Sequence, residues 1–457
     1  MMAVLPLENL SGVPEQEFLA AGLTEEIITE LGRLNPKRLG IIARSSVVQY
    51  RGTQKTVAQI GKELGVDYVV EGGAQMVDHR FRVMVQLIRV SDQTHVWAEG
   101  YERRLEDVLA VERSVAQQTA QALSIELLPE VRRRLAVSTP LNRDAQEAYL
   151  RGRFLLSRRT GNAYLEARDW LQKAIELEPS FPAGHSALAV VYTLLPQYQL
   201  LLPADAVPKA KVAALKALEL DPALAEARTV LAEIHAEFEW NFATGEGEFR
   251  RALQDNPNCA LAHQWYAAYL WAMGRFDEGI AEMQRTSELS PASLGTAVDL
   301  GRAYYFARQY DRAIQQYQKV IQLDPNFSAA HSLLGLALLE KKDYQGGIAE
   351  IEKGRALVPN GQSIWLAYAY ARAGRHEEAK QELAQCLLRW NQKHTGAVCV
   401  ALGYTGLGDK DQAFAWLEKE FEAHTGTIYM LKAYPYWDSL RSDVRYRELL
   451  QRAGLPQ

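Results

Sequence analysis

The feature that most constrains the fold is a proline that returns at nearly constant spacing through the second half of the chain. These prolines are Pro179, Pro222, Pro257, Pro291, Pro325 and Pro359, at successive intervals of 43, 35, 34, 34 and 34 residues. A fixed period of this length is typical of repeat architectures, in which each repeat packs against its neighbours. Because proline cannot continue a helix, each one predicts a helix end. The chain is therefore predicted to contain a helical repeat array.

The segment "AVDLGRAYYFARQYDRAIQQYQKVIQLDP" shows what one period contains. Gly301 and Ala313 are small enough to let two helices approach closely, and Tyr304 and Tyr317 fill the space between them. This pattern resembles the tetratricopeptide repeat. The resemblance implies two antiparallel helices in each period and about eight repeats in all.

The front of the chain follows a different pattern. "AVLPL" and "RLGIIA" are short apolar runs, and "DYVVEGGAQMV", "RFRVMVQLIRV" and "THVWAEGYER" alternate apolar and polar residues, as strands do. Helical periodicity covers 14–34, 56–64 and 105–135. We therefore predict an α/β front domain, a mixed sheet with helices, followed by an all-α tetratricopeptide-repeat superhelical solenoid.

Four segments of the front domain carry a second resemblance: "AVLPLENLSGVPEQEFLAAGLTEEIITELGRL", "IIARSSVVQYRG", "IGKELGVDYVVEGGAQ" and "FRVMVQLIRVSDQTHVWAEGYERRLEDVLAVE". They resemble the TolB-like amino-terminal domain of bacterial signalling proteins. In that family the module precedes tetratricopeptide repeats and follows a winged-helix DNA-binding domain, a nucleotide cyclase or a serine/threonine kinase. None of these effectors is recognisable in this sequence, and the resemblance implies a sensor or scaffold half whose output half is not identified.

The two resemblances together predict the domain organisation. A TolB-like α/β domain is expected at 1–136 and a linker at 137–144. The repeats are expected at 145–430, and a segment that caps the last repeat at 431–457.

Charge and cysteine content exclude several classes of function. The chain has 51 Lys and Arg residues against 56 Asp and Glu residues, so it lacks the basic surface needed for direct nucleic-acid binding. Cys259, Cys386 and Cys399 form no C-x-x-C pair, which argues against a zinc site or a disulfide framework and predicts small buried residues. Without an apolar run of about 18 residues, no membrane span is predicted. The chain as written is expected in the cytoplasm, or outside it if a longer parent carries a membrane helix.

No sequence motif indicates catalysis, a cofactor or a metal. His185, His263 and His331 fall at the same point of three repeats, which predicts packing between helices and not a shared ion. Gly72 and Gly73 follow a predicted strand, but no helix comes next, so a bend or bulge is favoured over a phosphate-binding loop. The chain is predicted not to be an enzyme.

Two candidate binding sites remain. The first helices of such repeats line a concave groove, which here is aromatic and nearly neutral. Its predicted inward-facing residues are Gln264, Trp271, Arg302, Tyr305, Ser332 and Tyr368. The alternative is that the aromatic residues only pack between helices. The weaker candidate is an anion-binding loop formed by Arg44, Ser45, Ser46 and Arg51, for which a solvated loop is the alternative.

An aromatic, nearly neutral groove suits a helix or an extended apolar peptide. It suits equally the chain's own front domain or a second copy, so self-association is possible in principle. The sequence thus favours a non-enzymatic protein-interaction scaffold or sensor module of a bacterial signalling protein. The alternative is a regulatory fragment of a transcriptional regulator or nucleotide cyclase whose effector domain lies upstream.

Overall fold

The computed structural model describes the chain except residues 36–37, 78–79, 105–106, 108, 126, 128–141, 157, 159, 199, 359–361, 394–395 and 425. The chain divides into two compact units. The first comprises Met1–Ile234, Ala243–His263 and Glu288–Ser293, and the second comprises His235–Phe242, Gln264–Ser287 and Leu294–Gln457. Most of the predicted linker lies outside the described residues, and so does Pro359.

The first unit begins with a mixed β-sheet. Its strands are β1 (Met2–Val4), β2 (Glu8–Asn9), β3 (Tyr68–Val77), β4 (Arg80–Arg89) and β5 (His95–Arg104). Strands β1 and β2 both pair with β3 in parallel, and β3, β4 and β5 form an antiparallel meander. Apolar side chains on one face of β4 are buried while its arginines are exposed, as the alternation predicted. The predicted mixed sheet with helices is confirmed.

Helices cover this sheet. A 3₁₀ turn at Pro14–Gln16 leads into α1 (Glu17–Gly32), followed by α2 (Arg44–Val47), α3 (Val57–Leu64) and α4 (Leu109–Ala122). Residues at both ends of α3 explain where this helix begins and ends. Thr56 and Gln59 form a capping box at its start, and Gly65 ends it in the left-handed conformation with φ of 65°.

Three local predictions in the front domain are wrong. "RLGIIA" forms no strand, because only Ile41 bridges to Met2. "RSSVVQYRG" is not a loop, since α2 and a 3₁₀ turn at Val48–Tyr50 occupy it. Gly72 and Gly73 lie in β3 without a bulge. Glycine is needed at position 72 because a Cβ there would lie 1.9 Å from the carbonyl oxygen of Met84.

The rest of the chain is helical, and its described part forms eight helical hairpins of the tetratricopeptide type, confirming the predicted fold class. They are α5 (Arg143–Leu156) with α6 (Gly161–Leu177), α7 (Pro182–Leu194) with α8 (Pro203–Leu220), α9 (Ala225–Glu233) with α10 (Phe242–Asp255), α11 (Ala260–Ala272) with α12 (Phe276–Leu289), α13 (Leu294–Phe306) with α14 (Tyr310–Leu323), α15 (Ser328–Glu340) with α16 (Tyr344–Ala356), α17 (Leu366–Arg372) with α18 (His376–Lys393), and α19 (Ala397–Leu407) with α20 (Lys410–Glu422).

Short elements complete the chain. A 3₁₀ turn at Leu195–Tyr198 follows α7, and a π-helical turn at Ile234–Phe238 follows α9. After α20 come α21 (Gly426–Tyr429), a 3₁₀ turn at Pro435–Leu440 and α22 (Val444–Arg452). Among the described helices, none combines the length and apolar character needed to cross a bilayer.

Small residues hold the two helices of a hairpin together, as their spacing predicted. A Cβ on Gly301 of α13 would lie 2.4 Å from the ring of Tyr317 on α14. In the next hairpin a Cβ on Gly335 would lie 2.5 Å from the carbonyl oxygen of Gly347. Any side chain at these two positions would force the helices apart.

The three histidines that occupy the same position of their repeats have a hydrogen-bonding role that the sequence did not reveal. His185, His263 and His331 each place Nε2 within 2.9–3.0 Å of the carbonyl oxygen of the proline six residues earlier. Arg228 occupies the same repeat position, and its Nη2 donates to the carbonyl oxygen of Pro222 at 2.6 Å. Each side chain satisfies a loop carbonyl that has no helical partner.

The cysteine prediction is wrong for two residues. Cys386 on α18 and Cys399 on α19 form a disulfide, with their Cα atoms 5.8 Å apart. Cys259 is free and buried, as predicted. The spacing of 13 residues gave no sign of the pairing, which arises because the two consecutive helices contact one another.

The turn between the two helices of a repeat requires a left-handed backbone. Trp240, Gly274, Arg308 and Lys342, each 34 residues after the last, all have positive φ angles, of 52°, 75°, 59° and 65°. Glycine adopts this conformation freely, whereas other residues pay about 1–2 kcal/mol. Three of these turns therefore carry a side chain where glycine would be less strained.

Lys342→Gly is expected to raise the free energy of unfolding by about 1 kcal/mol, because the relief of strain exceeds the extra flexibility of glycine. The Lys342 side chain is exposed and has no hydrogen bond or ion pair with any residue the structure describes. Urea denaturation would measure the gain. Arg308→Gly relieves the same strain but removes side-chain contacts given below, so it should be the less stable variant. Equal stabilities would show that those contacts contribute nothing.

A buried charge network lies within the first unit, between the front domain and the repeats. Arg153 of α5 is 6% exposed and pairs with Glu25 and Glu26 of α1 and with Glu226 of α9, at 3.1, 3.5 and 3.2 Å. The Tyr149 hydroxyl donates to Glu26 Oε1 at 2.6 Å. Burial raises the pKa of Glu26 from 4.5 to about 7, although Arg153 and Tyr149 act in the opposite direction.

This raised pKa predicts a stability that depends on pH. Between pH 4.5 and about 7 the folded chain binds more protons at Glu26 than the unfolded chain does, so stability falls as pH rises. Glu26→Gln, which mimics the protonated form, should be more stable than the wild type by about 3 kcal/mol at pH 8 and equally stable near pH 4.

Urea denaturation at pH 4, 6 and 8 would measure this difference. Glu147→Gln is the matched control, because Glu147 lies partly exposed on α5 and pairs with Arg151. It should change stability by less than about 1 kcal/mol at each pH. A Glu26→Gln profile parallel to that of the wild type would contradict the prediction.

Candidate partner-binding groove

The six predicted groove residues all lie on the first helices of four successive hairpins in the second unit. Trp271, Tyr305, Ser332 and Tyr368 are buried, whereas Gln264 and Arg302 are half-buried. Helices α13, α15, α17 and α19 contact one another in that order. We call the surface that α11, α13, α15, α17 and α19 form the first-helix face.

The polar candidates are engaged within the chain. Gln264 Nε2 donates to Asp299 Oδ2 at 2.8 Å, and Arg302 Nη1 lies 3.0 Å from Asp299 Oδ1. Arg302 is therefore paired and not a lone charge. Ser332 points towards its own hairpin partner, because a Cβ on Gly354 of α16 would lie 2.3 Å from Ser332 Oγ.

A segment from the end of the chain covers part of the first-helix face. We call residues 430–441 the tail segment. The ring of Tyr434 meets Phe306 edge-on at 4.8 Å, and the ring of Tyr436 lies 6.1 Å from that of Tyr368. Tyr434 and Tyr436 stack on each other at 4.6 Å, and Trp437 is fully buried. A polypeptide segment of this same chain thus lies against Phe306 and Tyr368 of the first-helix face.

Arg308 is the main polar contact of the tail segment. From its left-handed turn, Nη1 donates to the carbonyl oxygen of Ala433 at 3.0 Å, and Nη2 donates to Asp438 Oδ1 at 2.7 Å. At the preceding turn, a Cβ on Gly274 would lie 2.9 Å from Lys432 Cε. The tail segment therefore runs past two successive turns of the repeat array.

Burial and nearby charges perturb several groups around the tail segment. Burial raises the pKa of Tyr305 well above its usual value, and Glu340, Tyr368 and Tyr436 add to this effect. Burial also raises the pKa of Glu340, which Arg372 partly offsets from 3.6 Å. Such shifts mark a poorly solvated surface, on which hydrogen bonds and charge pairs are stronger than in water.

The remainder of the carboxyl-terminal region packs on the last repeat. On α22, Arg445 lies 2.8 Å from Asp411, and its guanidinium stacks on Phe414 at 4.3 Å. Arg452 lies 2.7 Å from Glu418. Contacts of this kind are compatible with a cap, and the capping role of 431–457 stays a prediction.

The predicted anion-binding loop makes contacts within the first unit. Arg44 pairs with Glu25 at 3.4 Å and Arg51 with Glu17 at 2.8 Å. Ser45 Oγ bonds Ser290 Oγ at 3.2 Å, and Ser46 Oγ accepts from the amide of Ala292 at 2.9 Å. The four side chains do not converge on one point, and their anion-binding role stays a prediction without support from these contacts.

A cavity of about 520 Å³ in the first unit borders the predicted anion-binding loop, because Arg51 and Glu17 are part of its lining. Its charged lining contains three arginines and three glutamates, alongside aromatic side chains. The charged residues are Arg51, Arg151, Arg158, Glu15, Glu17 and Glu166. Opposite charges in equal number give no preference for an anion. Within the described residues, no group of three or more His, Cys, Asp or Glu side chains could hold a metal.

Sequence reasoning missed Arg308 and the tail residues that it contacts. One signal was present: the turn that carries glycine at 274, 374 and 408 carries arginine at 308. A second was the dense aromatic run "YPYWD", which falls where the repeat period ends. Neither signal identifies the contact alone, because Arg308 and Asp438 are 130 residues apart.

Comparison with known families separates the two parts of the chain. Residues 1–118 match the second domain of HilA/YgeH-like transcriptional regulators. Residues 298–361 and 364–389 match tetratricopeptide repeats. The chain therefore combines a HilA-like regulator domain with tetratricopeptide repeats. This match does not establish the TolB-like assignment.

Two curated proteins are similar to parts of this chain. "Putative adenylate cyclase 3" of Rhizobium meliloti (strain 1021) is 34% identical over 190 residues, which cover 42% of this chain and 32% of that protein. Transcriptional regulator HilA of Salmonella typhimurium (strain LT2) is 23% identical over 318 residues, covering 69% of this chain and 55% of HilA. The matches span about half the length of these relatives or less.

Solved structures with a similar fold include two tetratricopeptide-type proteins. A chain of the APC/C hetero-tetramer Cut9–Hcn1 is 14% identical, with a TM-score of 0.46 over 76% of this chain and 62% of that chain. Pseudomonas aeruginosa PilF is 19% identical, with a TM-score of 0.35 over 51% of this chain and 96% of that chain.

Proposed function

We propose that this chain is a non-enzymatic protein-interaction module, the sensor or scaffold part of a bacterial signalling protein. One observation carries the proposal: the first-helix face already binds a non-repeat polypeptide segment through aromatic rings and one arginine. Aromatic and arginine side chains are the usual anchors of protein interfaces. Tetratricopeptide repeats serve protein–protein interaction, which agrees with this role.

The front domain has a different part in the proposal. Its quoted segments support a TolB-like assignment, and its similarity to a HilA-type regulator domain supports a regulatory role. Helix α1 is tied to the first hairpin by Arg153, Glu25 and Glu26 within one compact unit. A movement of the first hairpin would therefore be passed to α1 directly.

Photocrosslinking in the host cell tests the interaction function. A crosslinking amino acid placed at Gln264, on the first-helix face, is expected to capture a discrete polypeptide. The matched position is Leu323, which is 70% exposed at the end of a second helix and should not capture the same polypeptide. No adduct at Gln264, or identical adducts from both positions, would contradict the proposal.

The second candidate is a regulatory fragment of a transcriptional regulator or nucleotide cyclase. Its support is the similarity to HilA and to the Rhizobium cyclase, both longer than the matched region. The intact mass of the native product from its host would test it. A product of 51.3 kDa would favour an adaptor that acts alone, whereas a longer product carrying an effector would favour the fragment.

A further inference from the structure

We infer that the tail segment is an intramolecular ligand of the first-helix face, which a separate polypeptide of the same chemistry displaces. The inference rests on the proposed function and adds two things to it. It defines the class of partner, and it states that the binding surface is occupied in the resting chain.

The contacts of the tail segment have the composition of an interface. Tyr436 and Trp437 are buried anchors, whereas Tyr434 is half-buried and Asp438 is 43% exposed. Buried aromatic anchors surrounded by more exposed polar contacts are typical of peptide and protein interfaces. The tail segment also follows no repeat pattern, since it contains only the 3₁₀ turn at Pro435–Leu440.

The side chain of Arg308 also supports the inference that the tail segment is a ligand of this face. This residue holds a φ of 59° in a turn where the neighbouring repeat uses glycine at 274. Its guanidinium reaches both the backbone and a carboxylate of the tail segment. Trp240 and Lys342 share this left-handed backbone at equivalent turns, so what distinguishes Arg308 is its pair of contacts to the tail segment.

The tail segment leaves several buried polar atoms of the first-helix face without hydrogen-bond partners. Trp271 Nε1, Arg302 Nε and Tyr305 Oη are buried and have no hydrogen-bond partner among the described residues. Trp437 Nε1 of the tail segment is in the same state. Buried polar groups of native proteins are nearly always bonded, so a segment that supplied these partners would bind more tightly than the tail does.

These contacts specify the displacing partner. It carries two aromatic side chains two residues apart, as Tyr434 and Tyr436 are, and a carboxylate two residues later, as Asp438 is. It also offers polar groups to the unpaired atoms of Trp271 and Tyr305. An aromatic peptide segment with one correctly placed carboxylate is therefore the expected ligand class.

The test uses the full chain and a fluorescent peptide of residues 430–441, MLKAYPYWDSLR, as the probe in an anisotropy titration. The tail competes with the probe, so a chain with a weakened tail should bind it more tightly. Tyr434→Ala in the chain is expected to tighten probe binding about tenfold, a change of about 1.4 kcal/mol. The same substitution in the peptide should weaken binding to either chain about tenfold.

Ser439→Ala is the matched control, because Ser439 is exposed and makes no hydrogen bond with the described residues. In the chain or in the peptide it should leave every affinity unchanged. A substitution that only destabilised the chain would not tighten probe binding, and it would not explain why the same substitution in the peptide weakens binding. Opposite effects of Tyr434→Ala in the chain and in the peptide therefore separate competition from misfolding. Unchanged probe binding by the Tyr434→Ala chain would overturn the inference.

Hydrogen exchange of the unmodified chain gives an independent measurement. Residues 430–441 are expected to exchange faster than α19, because a displaceable ligand opens without the helices beneath it. Exchange of the tail segment only on global unfolding would overturn the inference, and a wild-type dimer held by exchanged tails would assign the face to a second copy. If photocrosslinking at Gln264 captured a partner but the peptide probe bound neither chain, this inference would be overturned and the proposed function would stand. If photocrosslinking captured no partner, the proposed function itself would be overturned.

Discussion

Replacing Arg153 with methionine is expected to lower the free energy of unfolding of the first unit by about 3–5 kcal/mol at pH 8. Arg153 is 6% exposed and lies among three carboxylates, those of Glu25, Glu26 and Glu226. Methionine fills a similar volume, but Glu26, whose side chain is 9% exposed, loses its buried cation, whereas Glu25 keeps Arg44 as a partner at 3.4 Å. Uncompensated buried charges are among the most destabilising changes that a single substitution can make.

Arg151→Met is the control, because it removes an arginine from the same helix at a partly exposed site, where the guanidinium also lies 3.9 Å from the centre of the Phe18 ring. Arg151 pairs with Glu147, and both side chains are about one-third exposed, so the loss should be about 1 kcal/mol or less. Denaturant unfolding followed by hydrogen exchange in α1 and α5 would measure both variants. Equal losses from the two substitutions would show that the buried network contributes nothing special.

The same variant has a pH dependence that identifies its cause. Because the pKa of Glu26 is about 7, its carboxyl group is largely protonated at pH 5 in the folded wild type. One of the three negative charges around Arg153 is then already absent. The cost of Arg153→Met should therefore be smaller at pH 5 than at pH 8, whereas the loss of packing alone would be independent of pH.

The repeats were predictable because their contacts are local and periodic. Gly301 and Tyr317 lie 16 residues apart in adjacent helices of one hairpin, and the structure places them in direct contact. Proline at the end of each period and small residues between helices encode such contacts in the sequence itself. The antiparallel meander β3–β5 was predictable for the same reason, because its alternation and its turns lie within one short segment.

The features that matter most for binding were not predictable, because they join residues far apart in the sequence. Glu26 and Tyr149 are separated by 123 positions, and Arg308 and Asp438 by 130. Local spacing carries no information about such pairs. The six groove candidates lie on first helices and their binding role stays a prediction, but the sequence could not show that a segment of the chain itself lies against Tyr368.

Trp437→Ala is expected to lower the free energy of opening of the tail segment by about 3–5 kcal/mol, the usual cost of truncating a fully buried tryptophan. Trp437 is 0% exposed and packs against Tyr436 at 5.0 Å, within a turn that contacts α19. Hydrogen exchange with mass spectrometry is the appropriate measurement, because it resolves the tail segment from the repeats in one experiment.

Two roles for the tail segment predict different losses of hydrogen-exchange protection across the second unit in the Trp437→Ala chain. If the tail segment is a displaceable ligand, residues 430–441 lose protection while α14, which is held by Tyr317 against Gly301, keeps its own. If the tail segment is part of the common core, α14 loses protection by the same amount, since a cooperative unit opens as a whole. Ser439→Ala, in the same turn, should change neither region. Partner binding to the Trp437→Ala chain should then be at least as tight as that to the Tyr434→Ala chain, because Trp437→Ala weakens the same competitor by more.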